Sequence, residues 1–425
     1  MHRNPRDKTG NVTWLLVKLV LNEGRLKTPA RAGQGQEVES PMLILDWPYV
    51  SRLLEETAVR HRFPVLAVAG LPLVLGEQME RMAEEAFFAR WRQAARPLLY
   101  TNSENALACI ERNLGDTPLW RATLLLKDKG EFRRRTRPLY PHIHFRRLRL
   151  EELSRVDAAE LSFPVVLKPA VGFFSMGVHR VADARAWARL VRELPAELAK
   201  LRGLYPACVI GLEDFLLEEY LEEDELAVDA YFDGEGRPVV LNIFQHLFAG
   251  AEDTSDRVYF TGREVIEAWR APLERELARI GEVCGLRDFP VHAEFRRTTR
   301  GIVPVEVNPL RFAGWGTTDL AWFAYGINPY EAFLFGRPPD WGTILARCGR
   351  EHFFFNIADL PPTFDRGRIR AVRYEALLRL FGTVLDCRRT DFRHYPVLAV
   401  IFTRSAGFAE AEQFLREDFT RYLVT

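Results

Sequence analysis

The chain is poor in cysteine, in uninterrupted apolar sequence and in net charge, and each shortage closes off a class of function. Its five cysteines (Cys109, Cys208, Cys284, Cys348, Cys387) are scattered and form no C-x-x-C pair. Neither a zinc site nor a disulfide framework is expected, which fits a reducing cytoplasm. The apolar run Trp14 to Leu21 is interrupted by Lys18 and falls far below the ~20 residues needed to span a bilayer. It also lacks a small-residue cleavage site, so no signal peptide is expected. Lys plus Arg equals Asp plus Glu, 58 each, so no global charge steers nucleic acid or anionic lipid, and neither partner is expected. The basic stretch Arg133-Arg134-Arg135-Thr136-Arg137, with Arg146-Arg147 nearby, is either an attractor of phosphate or carboxylate or, as such runs more often are, a solvated face. Internal repeats, low-complexity segments, a Walker loop G-x-x-x-x-G-K-[ST] and a G-x-G-x-x-G fingerprint are all missing.

At 425 residues the chain has room for two or three domains. Residues 22 to 41 are polar and read as a loop or linker. Strands are expected at Met42–Leu45 and Val65–Val68, and helices at Val50–Arg60 and Glu77–Ala94, which together make an open α/β N-terminal domain. The pattern changes near Thr117-Pro118, and Ala122 to Leu126 is a strand or a buried apolar segment ahead of Lys127-Asp128-Lys129-Gly130. Phe163 to Lys168 is an apolar strand ending in lysine, followed by the loop Pro169 to Gly177 and a strand from Val178. Phe215 to Leu221 is a strand ending Glu218-Glu219-Tyr220-Leu221. Glu225–Phe232 and Pro238–Phe244 form a hairpin. Glu264 to Cys284 is a helix with Ile266, Trp269, Leu273, Leu277 and Ile280 on one stripe, and Pro272 either kinks it or divides it. Past Pro338-Pro339 a strand is expected at Tyr395–Phe402 and a helix at Phe408–Tyr422.

Two further strands carry the chemistry: Val291-His292-Ala293-Glu294-Phe295-Arg296 and Val303-Pro304-Val305-Glu306-Val307-Asn308, joined by a polar turn from Arg297 to Gly301. Residues two apart on a strand share a face. Pairing the strands as a hairpin therefore brings Glu294, Glu306 and Asn308 onto one surface, with Val291, Ala293, Phe295, Val303, Val305 and Val307 facing away. Two carboxylates and an amide form an all-oxygen set that suits Mg2+ or Mn2+ rather than zinc. His292 shares this face, either to bind substrate or phosphate or as an ordinary strand histidine. Lys168 precedes a loop with small residues at Gly172, Ser175 and Gly177, where backbone amides and an ammonium can cover phosphates.

The order of these elements resembles the ATP-grasp superfamily of carboxylate–amine ligases over about residues 100 to 340. The resemblance is densest at Pro164-Val165-Val166-Leu167-Lys168-Pro169-Ala170, Glu218-Glu219-Tyr220-Leu221-Glu222 and Val305-Glu306-Val307-Asn308-Pro309. It implies two α+β subdomains clamping ATP (119–340), an N-terminal α/β domain (1–118) and a small C-terminal α+β region (341–425). It further implies that Lys129 and Lys168 are ATP lysines, with Ser175 and Gly177 in the phosphate loop. Glu218 would accept from the adenine amino group, and Glu219 and Leu221 would offer backbone groups to the adenine edge. Glu225 would hold the ribose hydroxyls, and Glu294, Glu306 and Asn308 would hold Mg2+. Arg311 would steady the transferring phosphoryl group. Many relatives carry more glycines in the phosphate loop, whereas here Phe173 and Phe174 occupy its middle.

The implied reaction turns a small-molecule carboxylate into an acyl phosphate at the expense of ATP and joins it to an amine, releasing ADP and phosphate. The same fold also admits a thiol, carrier or precursor-peptide acceptor, and a nucleotide-binding regulator without turnover. Assembly as a homodimer is the default. Trp315 either lines the pocket or belongs to the core. The polar loop Asp253-Thr254-Ser255-Asp256-Arg257 near His246 is either the acceptor side of the cleft or a solvated loop. Ser103-Glu104-Asn105 begins a helix, where serine is a common N-cap.

Overall fold

The structure, a computed structural model, describes residues 41–425 apart from 173–176, 202–210, 222–223, 251–255 and 362–363. All but the last residue of the polar segment 22–41 falls outside the described residues, as do Ser175, Phe173 and Phe174.

Three layers organise the described chain. The first is a parallel sheet of β1 (Met42–Leu45), β2 (Pro64–Ala67), β3 (Glu80–Arg81) and β4 (Leu99–Thr101), in the order β3-β2-β1-β4. Every residue of β1 is buried, as a parallel strand covered on both faces must be. Helix α1 (Arg52–His61) starts where the Ser51 hydroxyl accepts the Leu54 N–H, and it ends at Arg62 in the left-handed region. The expected open α/β arrangement is present. The single helix expected over Glu77–Ala94 is instead a 3-10 turn, β3 and a shorter helix α2 (Glu84–Gln93). The backbone around residue 80 pairs with β2 rather than with itself, and only Phe87, Phe88 and Trp91 supply a buried helical face.

Helices α3 (Leu107–Leu114), α4 (Pro118–Lys127) and α5 (Lys129–Thr136) follow. Ala122 to Leu126 is therefore helical rather than extended. Thr117 accepts the Trp120 N–H and Pro118 fills the first turn, both start signals of a helix. Asp128 then caps α5 through the Gly130 and Glu131 amides, so Lys127 and Lys129 flank a helix junction.

The second layer is an antiparallel sheet of β5 (Phe145–Arg149), β6 (Val165–Pro169), β7 (His179–Val181) and β8 (Asp214–Glu219), ordered β5-β8-β6-β7. Helix α6 (Ala184–Leu201) packs Trp187, Leu194 and Leu198 against Leu167, Phe215 and Leu217.

The third layer is the largest. It contains β9 (Glu225–Phe232), β10 (Pro238–His246), β11 (Val258–Gly262), β12 (Phe289–Thr298), β13 (Gly301–Pro309) and β14 (His352–Asp359). After a short ribbon of β15 (Ala371–Val372) with the terminal β18 (Leu423–Val424), β16 (Val384–Arg389) and β17 (Val397–Ser405) complete it. Its antiparallel order is β13-β12-β9-β10-β11-β14-β17-β16, so strands beyond residue 340 extend the same sheet. Helix α7 (Arg263–Cys284) runs through Pro272 without ending and buries Ile266, Leu273, Leu277 and Ile280. Gly281 permits its close approach, since a Cβ there would stand 2.3 Å from the Phe232 ring. The expected terminal helix is present only as Ala409–Leu415, followed by a 3-10 turn at Phe419–Tyr422.

Candidate functional site

Strands β9, β12 and β13 are hydrogen-bonded neighbours, and their register builds the site. His292 stands between Asp229 on β9 and Asn308 on β13, and Glu294 stands between Ala227 and Glu306. Directly opposed residues share a face, so the hairpin does bring Glu294, Glu306 and Asn308 together with His292. In the next row Arg296 opposes Glu225 and forms an ion pair with it at 2.7 Å. One feature departs from simple alternation. The register shifts after Glu294, leaving Val305 without a partner on β12. This is a bulge, which twists a strand next to the residues it aims.

Two carboxylates facing each other in a cleft cannot both ionise without cations. Burial works against ionisation of Glu306, yet Lys129 at 2.8 Å and the Asn308 amide at 3.0 Å hold its pKa down to about 2. Glu294 goes the other way. Burial, then Glu306, Glu225 and Asp256, push its pKa well above the ordinary carboxylate range, and Lys129 only partly opposes them. Glu225, His246 and Asp256 offer ligand atoms that all lie within 4.8 Å of one another. His246 stacks on Tyr259, with ring centroids 4.3 Å apart. The donor set of Glu294, Glu306 and Asn308 is all-oxygen and fits Mg2+ or Mn2+.

The cations come from the other layers. Lys168, at the end of β6, meets Glu218 of the adjacent β8 at 2.7 Å. Burial lowers its pKa, Arg133 and Lys129 add to that, and Glu218 opposes it. Glu218 also pairs with Arg133 of α5, whose guanidinium donates in addition to the Pro304 carbonyl on β13. Burial opposes ionisation of Glu218, but Arg133 and Lys168 hold its pKa at about 2. The basic stretch is thus divided: Arg133 is buried between two sheets, while Arg134, Arg135 and Arg137 are exposed.

Lys129 donates to the Gly172 carbonyl at 3.1 Å, and Lys127 donates to the same oxygen at 2.9 Å. Lys127 also pairs with Glu104, whose other oxygen accepts from Arg311 at 2.6 and 3.0 Å. Burial opposes ionisation of Glu104, but Lys127 and Arg311 bring its pKa below the ordinary value. Between Asn308 and Arg311 the chain turns at Leu310, a non-glycine residue with φ of 61°. Such a conformation costs roughly 1–2 kcal/mol. It is held by the Leu310 N–H to the Pro290 carbonyl and by the Thr101 N–H to the Leu310 carbonyl, each at 2.9 Å.

The remaining expected residues have other partners. Glu219 pairs with Arg300 at 2.6 Å. Leu221 is half-buried against the main apolar cluster. Glu225 divides its carboxylate between Arg296 and His246. Gly177 adopts φ of +71° in a turn where a Cβ would come within 3.1 Å of Pro169. Trp315 is half-buried and packs edge-on against Tyr395. Residues 253–255 of the polar loop near His246 fall outside the described residues. Sequence reasoning passed over Glu104, Lys127 and Asp229 as site residues, and it named Arg133 only within a basic run that either attracts phosphate or carboxylate or is solvated. The one available signal was Lys127 on the same face of α4 as Trp120, Thr123 and Leu126, an odd place for a lysine unless it is paired.

A family model described as an ATP-grasp domain matches residues 161–319. The chain carries an ATP-grasp domain. No curated protein matches the sequence, but solved structures do match the fold. The L-amino acid ligase from Bacillus licheniformis shares 19% identity over 92% of this chain and 99% of its own, with a TM-score of 0.65. The N5-carboxyaminoimidazole ribonucleotide synthetase from Thermotoga maritima shares 14% over 90% and 98%, with a TM-score of 0.60. The biotin carboxylase from Campylobacter jejuni, solved as a beta-gamma-ATP complex, shares 12% over 86% and 87%, with a TM-score of 0.57. Identities this low speak for the fold alone, and the fold is α/β of the ATP-grasp type. Lys168 and Glu218 stand on the small sheet β5-β8-β6-β7, and Glu294, Glu306 and Asn308 stand on the large one. Among the described residues no helix is long and apolar enough to cross a membrane.

Proposed function

We propose that the protein is an ATP-dependent, ADP-forming ligase that activates a small-molecule carboxylate as an acyl phosphate and joins it to an amine. The observation that carries this reading is the facing pair Glu294 and Glu306, with Lys129 on one carboxylate and Lys168 near enough to Lys129 for each to feel the other's charge. That arrangement matches a triphosphate brought in with a divalent cation. Glu294, Glu306 and Asn308 hold the metal, which supplies charge neutralisation on the phosphates when bound. Lys129, Lys168, Ser175 and Gly177 take the phosphates. Glu218, Glu219 and Leu221 face the adenine, and Glu225 faces the ribose.

Arg311 stands beside the metal strand, aimed by Glu104, and serves the transferring phosphoryl group. In the first step a carboxylate oxygen attacks the terminal phosphorus and ADP leaves. In the second, the amine attacks the acyl carbon, phosphate leaves and the nitrogen gives up a proton. Little of this needs covalent participation by the protein, and positioning and charge stabilisation suffice. We take the assembly to be a homodimer working in the cytoplasm.

The test is a matrix of carboxylic acids and amines scored by ADP release and by the mass of the condensed product. ADP release that depends on one acid, with an amide product that also needs the amine, supports the reading. ATP binding without acid-stimulated turnover across the matrix would move the protein to the nucleotide-binding regulators.

A further inference from the structure

The metal carboxylates do not stand alone on their sheet face. Asp229, opposite His292 on β9, is fully buried. One of its oxygens accepts from His292 Nδ1 at 2.8 Å and from the Ala313 amide at 2.8 Å. Its other oxygen has no hydrogen-bond partner among the described residues. A buried carboxylate depends on the donors it has, so the imidazole is fixed with Nδ1 toward Asp229. The Phe244 ring, 6.2 Å away at 61°, limits the imidazole from another side. With Nδ1 committed, Nε2 points along the face toward Glu294 and stands 3.8 Å from its nearer oxygen. Among the described residues no ion pair of Glu294 with lysine or arginine is found, whereas Glu306 has Lys129 and Asn308.

We propose that Asp229 and His292 form a positioning pair that holds Glu294 in place for metal binding. The inference rests on the metal site of the proposed function and deepens it. A carboxylate–histidine unit of this kind fixes ring orientation, and a fixed ring restricts the rotamers of the carboxylate beside it. Asp229 sets the ring, the ring sets Glu294, and Glu294 faces the cation together with Glu306. The pair acts through Glu294 and touches neither substrate nor the reacting atoms.

The full-length protein is titrated with Mn2+ in the presence of ADP, and free Mn2+ is read by electron paramagnetic resonance. His292→Ala is expected to weaken Mn2+ binding about 10- to 100-fold, the usual range for groups that orient metal ligands. His292→Gln, whose amide reaches the position of Nε2, should recover most of the loss. His292→Asn reaches only the position of Nδ1 and should remain weak. A role limited to satisfying Asp229 gives the reverse order, with Asn rescuing and Gln not, and that order overturns the proposal, as does wild-type Mn2+ affinity in His292→Ala. Asp229→Asn, expected to lose about tenfold, provides a second route should His292→Ala fail to fold, and unchanged affinity there also overturns the pair. Glu294→Gln separates the two levels of the argument. If it loses Mn2+ while the His292 variants do not, only the positioning pair fails. If it binds Mn2+ as the wild type does, the metal site itself is wrong and the pair falls with it.

Discussion

Glu294→Gln should make the metal-free protein more stable while abolishing the metal-dependent chemistry proposed for it. Glu294 is half-buried opposite Glu306 and near Glu225 and Asp256, and burial together with those groups raises its pKa well above the ordinary range. A carboxyl whose folded pKa exceeds its unfolded value of about 4.3 contributes stability below that value. The contribution is lost as pH rises through the folded pKa. Glutamine does not titrate, so its advantage over wild type should grow from acid toward pH 8. Cross-strand side chains stand ~5 Å apart, and two like charges at that distance repel by about 3 kcal/mol at an effective dielectric of ~20. That value is a ceiling, because wild type escapes part of the repulsion by keeping the proton. At ~2.1 cal/mol/K of unfolding entropy per residue, a gain of roughly 1–2 kcal/mol corresponds to a melting shift of about 1–2 °C for a chain of 425 residues.

The assay is thermal unfolding in chelator at pH 6 and pH 8, without nucleotide. The variant should melt above wild type, by more at pH 8 than at pH 6, and added Mn2+ with ADP should narrow the gap by stabilising only the wild type. A variant that melts below wild type at pH 8, or whose advantage shrinks with rising pH, would refute the electrostatic reasoning.

Lys168→Ala should cost roughly 2–3 kcal/mol of ATP affinity and far less adenosine affinity, read by calorimetry, since Glu218 retains Arg133 as a partner; equal losses for both ligands would make Lys168 structural. Arg311→Lys should lower kcat for ADP release strongly with little change in ATP affinity, because a planar fork is lost at the transition state while charge is kept; unchanged turnover would remove Arg311 from the chemistry. Glu104→Gln should destabilise the protein by about 3–5 kcal/mol in thermal unfolding, because it leaves Lys127 and Arg311 buried without their shared carboxylate. Since the folded pKa of Glu104 is lowered, its contribution is present above the unfolded pKa and fades as pH falls through the folded one, so the difference between Glu104→Gln and wild type should shrink in acid.

Much of the site was legible because strands impose a period of two. Glu294, Glu306 and Asn308 meet as that period requires, and the bulge at Val305 shifts the pairing beyond the carboxylates without separating them. The helix over Ala122–Leu126 was misjudged because an apolar run carries no period of its own, although Thr117 and Pro118 had already marked its start. The helix over Glu77–Ala94 was overextended because charge spacing alone does not show that residues near 80 find a parallel partner in β2. Arg133, Glu104 and Asp229 were hidden for a deeper reason. Each is buried through long-range pairing: Arg133 with Glu218, Glu104 with Arg311, Asp229 with His292. No local pattern separates a buried arginine from the exposed Arg134 and Arg135 beside it.

These pairings also bear on what the site admits. On the proposed function, the cations that would meet phosphates are held by internal carboxylates: Lys129 by Glu306, Lys168 by Glu218, and Arg311 by Glu104, which Lys127 shares. An anion entering alone must draw Lys129 from Glu306 and leave two half-buried carboxylates, Glu294 and Glu306, facing each other. A divalent cation entering alone must compete with Lys129 for Glu306. Either exchange strands a buried charge, and a stranded partner costs about 3–5 kcal/mol. A phosphate and a metal ion arriving together satisfy both halves of the broken pair at once. On that reading the site favours the metal–nucleotide complex over either component.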